Sequence, residues 1–570
     1  MHARPPLRVP VGPDAHRWRT LHAEKILVVA ARTVTSAVRV LECLPSLVRD
    51  DSRIGVVFAH DPTSAFGDGV LDLLHDAGCR VMPWEQLGHI APDLIVTASE
   101  NIDVPGAACP VLVLPHGVGF QKLVPDARSA RQRLSGLVPD ALLEAGRAWL
   151  AVSHPDQEAQ LLAAHPKTAG RTLLVGDPCF DELRAARTQR VTLRAELGVD
   201  DGRRLAVISS TWGPTSLLGQ DPGLPARLLA SLPYDEYRVA LIAHPNVWAG
   251  HGGWQIRTLL AAALDAGLLL VPPVHAWRPA LAAADVVIGD HGSVTLYGAC
   301  LDLPVLLAAF GSDAVPGTAG ADLARHAPRL DPGAGLAEQV DEAVRAHVPG
   351  RYAPVAERAF AGPGQAHARL RTALYRLLDL PEPPTGAPAA PVLAPPASSD
   401  AGAVPCRSWR VSTAVTLDGP GRTVVAVLRH PAPVAPAHEE SADTFSHLAC
   451  AEDEPDRRLT ESASVVLRRD AAPTAVGALR WIRDTLTGFP GSLLAAAGVA
   501  SGGVLVGLRD GRVVEATATG PRGDPGPAAA VVYACLRAGR PLEDALVTLR
   551  LGAGRTEDVA LRLRPGQRAG

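Results

Sequence analysis

The sequence predicts an α/β protein built from two doubly wound parallel sheets that face each other, followed by a smaller α+β unit. Three observations predict it. Short apolar runs alternate with stretches of helical periodicity through the first 380 residues, as in a parallel sheet covered on both faces. Nearly every run ends in a polar turn rich in Gly, Ser, Thr or His. A Pro/Ala-rich stretch, residues 381–405, then separates a region with hairpin signals. The resulting division is a tail over 1–22, a first half over 23–190, a second over 191–380, a linker over 381–405 and the last unit over 406–570.

In order, KILVVAA (25–31) and IGVVFA (54–59) read as buried strands, with helical periodicity over 36–47 interrupted at Pro45. A helix over 69–77 and short strands at 80–82, 94–97 and 111–114 continue the alternation. The run 111–114 leads straight into Pro115-His116-Gly117-Val118-Gly119. Ligands of open α/β sheets bind outside the carboxyl ends of the strands, so His116 is aimed at a cleft. A histidine can take a proton from a hydroxyl, and Gly117 and Gly119 let the backbone approach a ligand. Strands at 149–153 and 172–175 complete the first sheet, and a helical then polar stretch over 183–201 connects to the second.

The second half repeats the logic. The strand 204–209 runs into Ser210-Thr211-Trp212-Gly213, the strand 238–243 into His244-Pro245, and the strand 268–271 into Pro272-Pro273-Val274-His275. The most informative stretch is ADVVIGDHGSVTLYGACLDLPVLLA, 284–308, a strand-turn-helix-strand unit. Its turn, Asp290-His291-Gly292-Ser293 with Thr295 following, offers backbone N–H groups, a hydroxyl and an imidazole at a helix start, which suits an anion. The same turn is open to a purely structural reading in which Asp290 caps the helix, and as a lone carboxylate it is a cap before it is a Mg²⁺ ligand. No metal is assigned.

A net charge of −4 gives no sign of a nucleic-acid partner, and no apolar leader or run of about twenty apolar residues is read. The eight cysteines are scattered without a Cys-x-x-Cys pair and read as buried thiols of a cytoplasmic protein. Lysines are confined to Lys25, Lys122 and Lys167.

Taken together, Pro115-His116-Gly117, Ser210-Thr211-Trp212, Ala243-His244-Pro245 and the 285–293 stretch resemble, in order and separation, the CDP-glycerol glycerophosphotransferase family of teichoic-acid primases and polymerases. Gly176-Asp177-Pro178 with Asp181 is similar to that family's Gly-Asn-Pro-x-x-Asp turn. The resemblance spans about residues 25–378 and implies a GT-B fold. It implies that His116 deprotonates the acceptor hydroxyl and that His244 contacts the donor phosphates. Thr211, Asp290, His291, Gly292, Ser293 and Thr295 would then surround the diphosphate, with Val274 and His275 at the nucleotide and Gly117 and Gly119 on the acceptor loop. The resemblance implies a CDP-glycerol-like nucleotide donor, and a lipid-linked acceptor would bring the chain peripherally to the inner face of the membrane. Departures are His291-Gly292 for the family's Tyr-Ser, Gly213 for a common arginine, and Lys122 one residue further from His116. Hexosyl transfer from a nucleotide sugar and a non-catalytic nucleotide-binding role stand beside this reading.

The last unit has hairpin signals around 418–421 and 510–511 and helices over 475–485 and 527–538. Residues 520–546 resemble the end of ribokinase-type sugar kinases but lack their Gly-Ala-Gly-Asp turn, so a docking or regulatory role is expected. His430, His438 and His447 are expected to be solvated.

Overall fold

The computed structural model describes residues 9, 17–104, 108–125, 132–199, 202–384, 393, 405–418, 422–436, 444–519 and 523–564. Most of the expected tail and linker, the turn at 419–421, His438 and residues 520–522 lie outside the described residues.

The first unit holds β1 (Lys25–Ala31), β2 (Ile54–His60), β3 (Val81–Pro83), β4 (Leu94–Thr97), β5 (Val111–Val113), a separate antiparallel pair β6 (Leu123–Pro125) and β7 (Gln132–Leu134), then β8 (Ala148–Val152) and β9 (Thr172–Leu174). Seven of these form a parallel sheet in the order β3-β2-β1-β4-β5-β8-β9. The second unit holds β10 (Arg204–Ser210), β11 (Tyr237–Ala243), β12 (Leu269–Val271), β13 (Val286–Gly289) and β14 (Val305–Leu307), all parallel, ordered β12-β11-β10-β13-β14. β13 is buried at every position, which is why it reads as an unbroken apolar run. In each sheet the strand order reverses beside the first strand, and such a switch point opens a crevice at the carboxyl ends. Both crevices face one interdomain space.

Two local expectations change. The helix Val34–Leu47 is continuous with Pro45 inside it, because Pro45 falls in its last turn and interrupts only one backbone bond. The helix Ala366–Leu378 packs Leu370, Leu374 and Leu378 into the core around Leu27 and Val29, so the chain returns to the first sheet before leaving for the C-terminal unit.

The C-terminal unit combines strands and helices as expected, and among the described residues its nine strands close into a barrel. In chain order they are β15 (Ser408–Asp418), β16 (Arg422–Pro431), β17 (Thr444–Ala451), β18 (Val465–Leu467), β19 (Leu494–Gly498), β20 (Val504–Leu508), β21 (Val513–Ala518), β22 (Ala545–Leu551) and β23 (Arg555–Arg564). Both expected hairpins are present, as β15/β16 and β20/β21. Closure needs pairings that no local pattern encodes, such as Thr423 opposite Val547. The helix Gly526–Arg537 is buried without a break from Gly526 to Cys535 and packs on strands all around the barrel. A helix apolar on every side must be enclosed, and here it is the barrel's core.

His430 and His447 are buried instead of solvated. His447 packs against Tyr533 with ring centroids 4.1 Å apart and the rings tilted by 37°, and burial pushes its imidazole down to about 3. The unfolded ring takes a proton near pH 6.5 and the folded ring does so only near 3, so His447 leaves stability untouched above pH 6.5 and erodes it between 6.5 and 3. The loss is at most about 1.4 kcal/mol per pH unit. Urea titration of barrel unfolding at pH 7 and pH 4 should show it, and His447→Phe should flatten the difference.

Arg429 of β16 fastens the barrel to the second unit. It is buried, reaches Asp235 at 2.8 Å and Asp524 at 2.7 Å, and its carbonyl accepts the Tyr234 N–H. Tyr234 and Asp235 precede β11, at the end of the second sheet opposite its polar turns, so the barrel is anchored away from the interdomain space.

Candidate functional site

A cavity of about 880 Å³ lies between the two sheets and is lined from both. From the first come His116, Gly117 and Gly119 after β5, and Arg32 and Thr33 after β1. From the second come Thr211 after β10, His244 after β11, and His291, Gly292 and Ser293 after β13.

His116 is exposed to this space. Its loop touches the opposite half: the Val118 N–H donates to Ser293 Oγ at 3.1 Å, and a Cβ on Gly117 would sit 2.6 Å from that oxygen. Glycine at 117 is what permits the approach. Ser293 begins the helix Ser293–Cys300, which has no side-chain cap, so its first N–H groups remain available to an anion.

His244 precedes the helix Pro245–Leu259 and its Nδ1 accepts the Asn246 N–H at 3.1 Å, leaving the ring proton on Nε2. Burial, then the positive charges of His116 and Lys122, hold the imidazole down to about 3. It is therefore neutral near pH 7, and its Nε2 offers a hydrogen-bond donor without a positive charge.

Asp290 is fully buried, and its two oxygens accept N–H bonds from Thr211 (2.8 Å), Leu217 (2.9 Å) and Gly292 (2.9 Å). Burial raises its carboxyl while these donors pull the other way. Asp290 does not line the cavity; it ties the β10 and β13 turns together and sets Thr211 beside Ser293. The departures of the turn follow from the same packing. A Cβ on Gly292 would lie 3.0 Å from both Asp290 Oδ1 and Thr211 Cβ, so a serine has little room. Gly213 has φ +95°, a conformation an arginine would adopt only under strain.

His291 lines the cavity with a largely buried side chain: its Nδ1 accepts the Gly311 N–H and its Nε2 lies 3.1 Å from Asp313. Thr295 is fully buried against Gly289 and does not reach the cavity. Val274 and His275, expected at a nucleotide, are not in its lining either. His275 is held 3.2 Å from Glu42, while Pro273 and Trp277 take the wall on that side.

Sequence reasoning missed Asp61, Asp313 and Glu100, and named Asp177 only as a turn residue. Arg32 pairs with Asp61 (3.3 Å), Arg39 with Asp177 (2.7 Å), Lys122 with Asp313 (3.2 Å) and Arg133 with Glu100 (3.2 Å). Every arginine and lysine among the described lining residues is thus ion-paired, and the free donors for an anion are hydroxyls, N–H groups and imidazoles. Asp313 bridges the halves, since Lys122 comes from the first and His291 from the second. Its one sequence signal was Lys122, conspicuous among three lysines.

No family model matches this chain, and no curated protein does. Among solved structures it is similar to the wall teichoic acid polymerase TagF, at 11% identity over 62% of this chain and 89% of that one, with a TM-score of 0.41. It is also similar to the UDP-GlcNAc 2-epimerase from Neisseria meningitidis bound to UDP-GlcNAc, at 15% over 62% and 100%, TM-score 0.37. A glycosyltransferase from Rickettsia africae stands at 9% over 63% and 99%, TM-score 0.36.

Proposed function

We propose that the chain is a GT-B transferase that moves glycerol phosphate, or a related alditol phosphate, from a CDP-linked donor to a hydroxyl acceptor. The observation that carries this reading is that His116 and Ser293 open on one cavity from opposite halves. In the step proposed, the acceptor oxygen attacks the phosphorus of the glycerol phosphate group, the bond to CMP breaks, and His116 takes the hydroxyl proton. Phosphoryl transfer needs positioning and charge stabilisation more than covalent help, and the Ser293 helix start, the Thr211 hydroxyl and neutral His244 supply N–H and O–H donors for it.

A lipid-linked acceptor would be met at the inner face of the membrane, by peripheral contact. Among the described residues no helix is long and apolar enough to cross a membrane. Calorimetric titration with CDP-glycerol, CTP and UDP-sugars tests the donor. CDP-glycerol should bind with CTP weaker. Binding of a UDP-sugar alone would move the reaction to hexosyl transfer, and binding of none would leave a non-catalytic role.

A further inference from the structure

A short extended segment of the second unit crosses to the first. It follows β14, and its Ala314 forms an antiparallel bridge with Lys122, just ahead of β6. The Leu123 N–H donates to the Asp313 carbonyl at 2.7 Å and the Val315 N–H to the Gln121 carbonyl at 2.9 Å, so the bridge is bonded on both sides. On the other edge of the same stretch, the Ser135 N–H beyond β7 donates to the Lys122 carbonyl at 2.9 Å, and β6 pairs with β7. The crossing segment thus lies as a third strand beside that pair.

Side chains reinforce the crossing. Lys122 Nζ lies 3.2 Å from Asp313 Oδ2 and donates to the Trp212 carbonyl at 2.9 Å, while Gln121 Oε1 accepts the Gly320 N–H at 2.9 Å. Asp313 is held in turn by the Thr215 hydroxyl at 2.9 Å. Apolar residues are exchanged as well. Val315 of the second unit packs against the first-unit core that holds Phe120 and Leu134, and Val118 of the first is buried in the core that holds Val287 and Leu296. Backbone bonds, an ion pair and apolar packing therefore meet within a few residues of the loop that carries His116.

We propose that residues 313–315 are a clasp, a strand of the second unit added to the β6/β7 pair of the first, which holds the halves where His116 and Ser293 open on one cavity. The halves part only when these bonds break together, and this holds whatever reaction the cavity performs. The experiment is hydrogen–deuterium exchange of the full chain without ligand, read by mass spectrometry at Leu123 and Val315. In the native protein both amides should be protected to a similar degree, because one opening exposes both. Val315→Pro deletes a donor on the second unit and should speed exchange at Leu123, on the first, by about fivefold or more. Lys122→Met keeps every backbone group and should speed exchange at Leu123 and Val315 together. Peptides from the Ala366–Leu378 helix should keep their native rates in both variants, reporting an intact fold. Leu123 and Val315 amides that exchange in the native chain as freely as in a short peptide overturn the clasp. So does an effect of either substitution confined to the segment that carries it.

Discussion

Replacing His116 by alanine is expected to lower transfer by about 10²–10⁴-fold, the usual contribution of a general base, while leaving donor affinity within about twofold of the native protein. The separation follows from the geometry. The side chain of His116 stands in the cavity with no contact that the donor side needs, whereas the contact between the halves is made by its neighbours, through the Val118 N–H and the bare backbone of Gly117 against Ser293. Removing the imidazole therefore leaves the closure intact. Single-turnover transfer and calorimetric donor binding, run on the same preparations, check both parts. Native-rate transfer by His116→Ala would remove it as the base.

A second large effect is expected from Asp177→Ala, on stability rather than chemistry. Asp177 is 1% exposed and Arg39 is 5% exposed, and they are bonded at 2.7 Å. Asp177 also accepts the Cys179 N–H at 2.8 Å and the Tyr297 hydroxyl at 2.7 Å. One carboxylate thus joins the first unit's Val34–Leu47 helix, the connecting helix Pro178–Ala186 and the Ser293–Cys300 helix of the second unit. Burial works against the Arg39 charge, and Asp177 more than compensates, holding the guanidinium charged. Deleting Asp177 strands that charge, which costs about 3–5 kcal/mol. Urea denaturation followed by tryptophan fluorescence should show the loss, and Arg39→Met with Asp177→Leu should recover most of it. A loss under about 1 kcal/mol in the single variant would mean the pair is solvated or replaceable.

The parallel sheets were legible because a strand buried on both faces announces itself in a few consecutive residues, as at Val286–Gly289 and Leu94–Thr97. His116, Thr211, His244 and Ser293 were legible for a related reason: each follows such a strand, and the carboxyl end of a parallel strand is where a ligand is met. Asp290 was legible as a residue of the turn, but its three N–H partners come from three separate points of the chain, and only their convergence turns it from the cavity. The barrel was the least legible part. Its hairpins have local turn signals, while its closure depends on β16 meeting β22 and β17 meeting β15.

By itself the sequence determined the alternation of strands and helices in two successive halves, and the polar turns that end their strands. Those depend on periodicity and on residues a few positions apart. Only the tertiary structure decided which charges the cavity presents: Asp313 pairs with Lys122, Glu100 with Arg133 and Asp177 with Arg39, partnerships that sequence spacing does not show. The reason is physical. A buried charge must find an opposite one wherever the fold brings it, and electrostatic partnership acts over ångströms of space with no regard to distance along the chain.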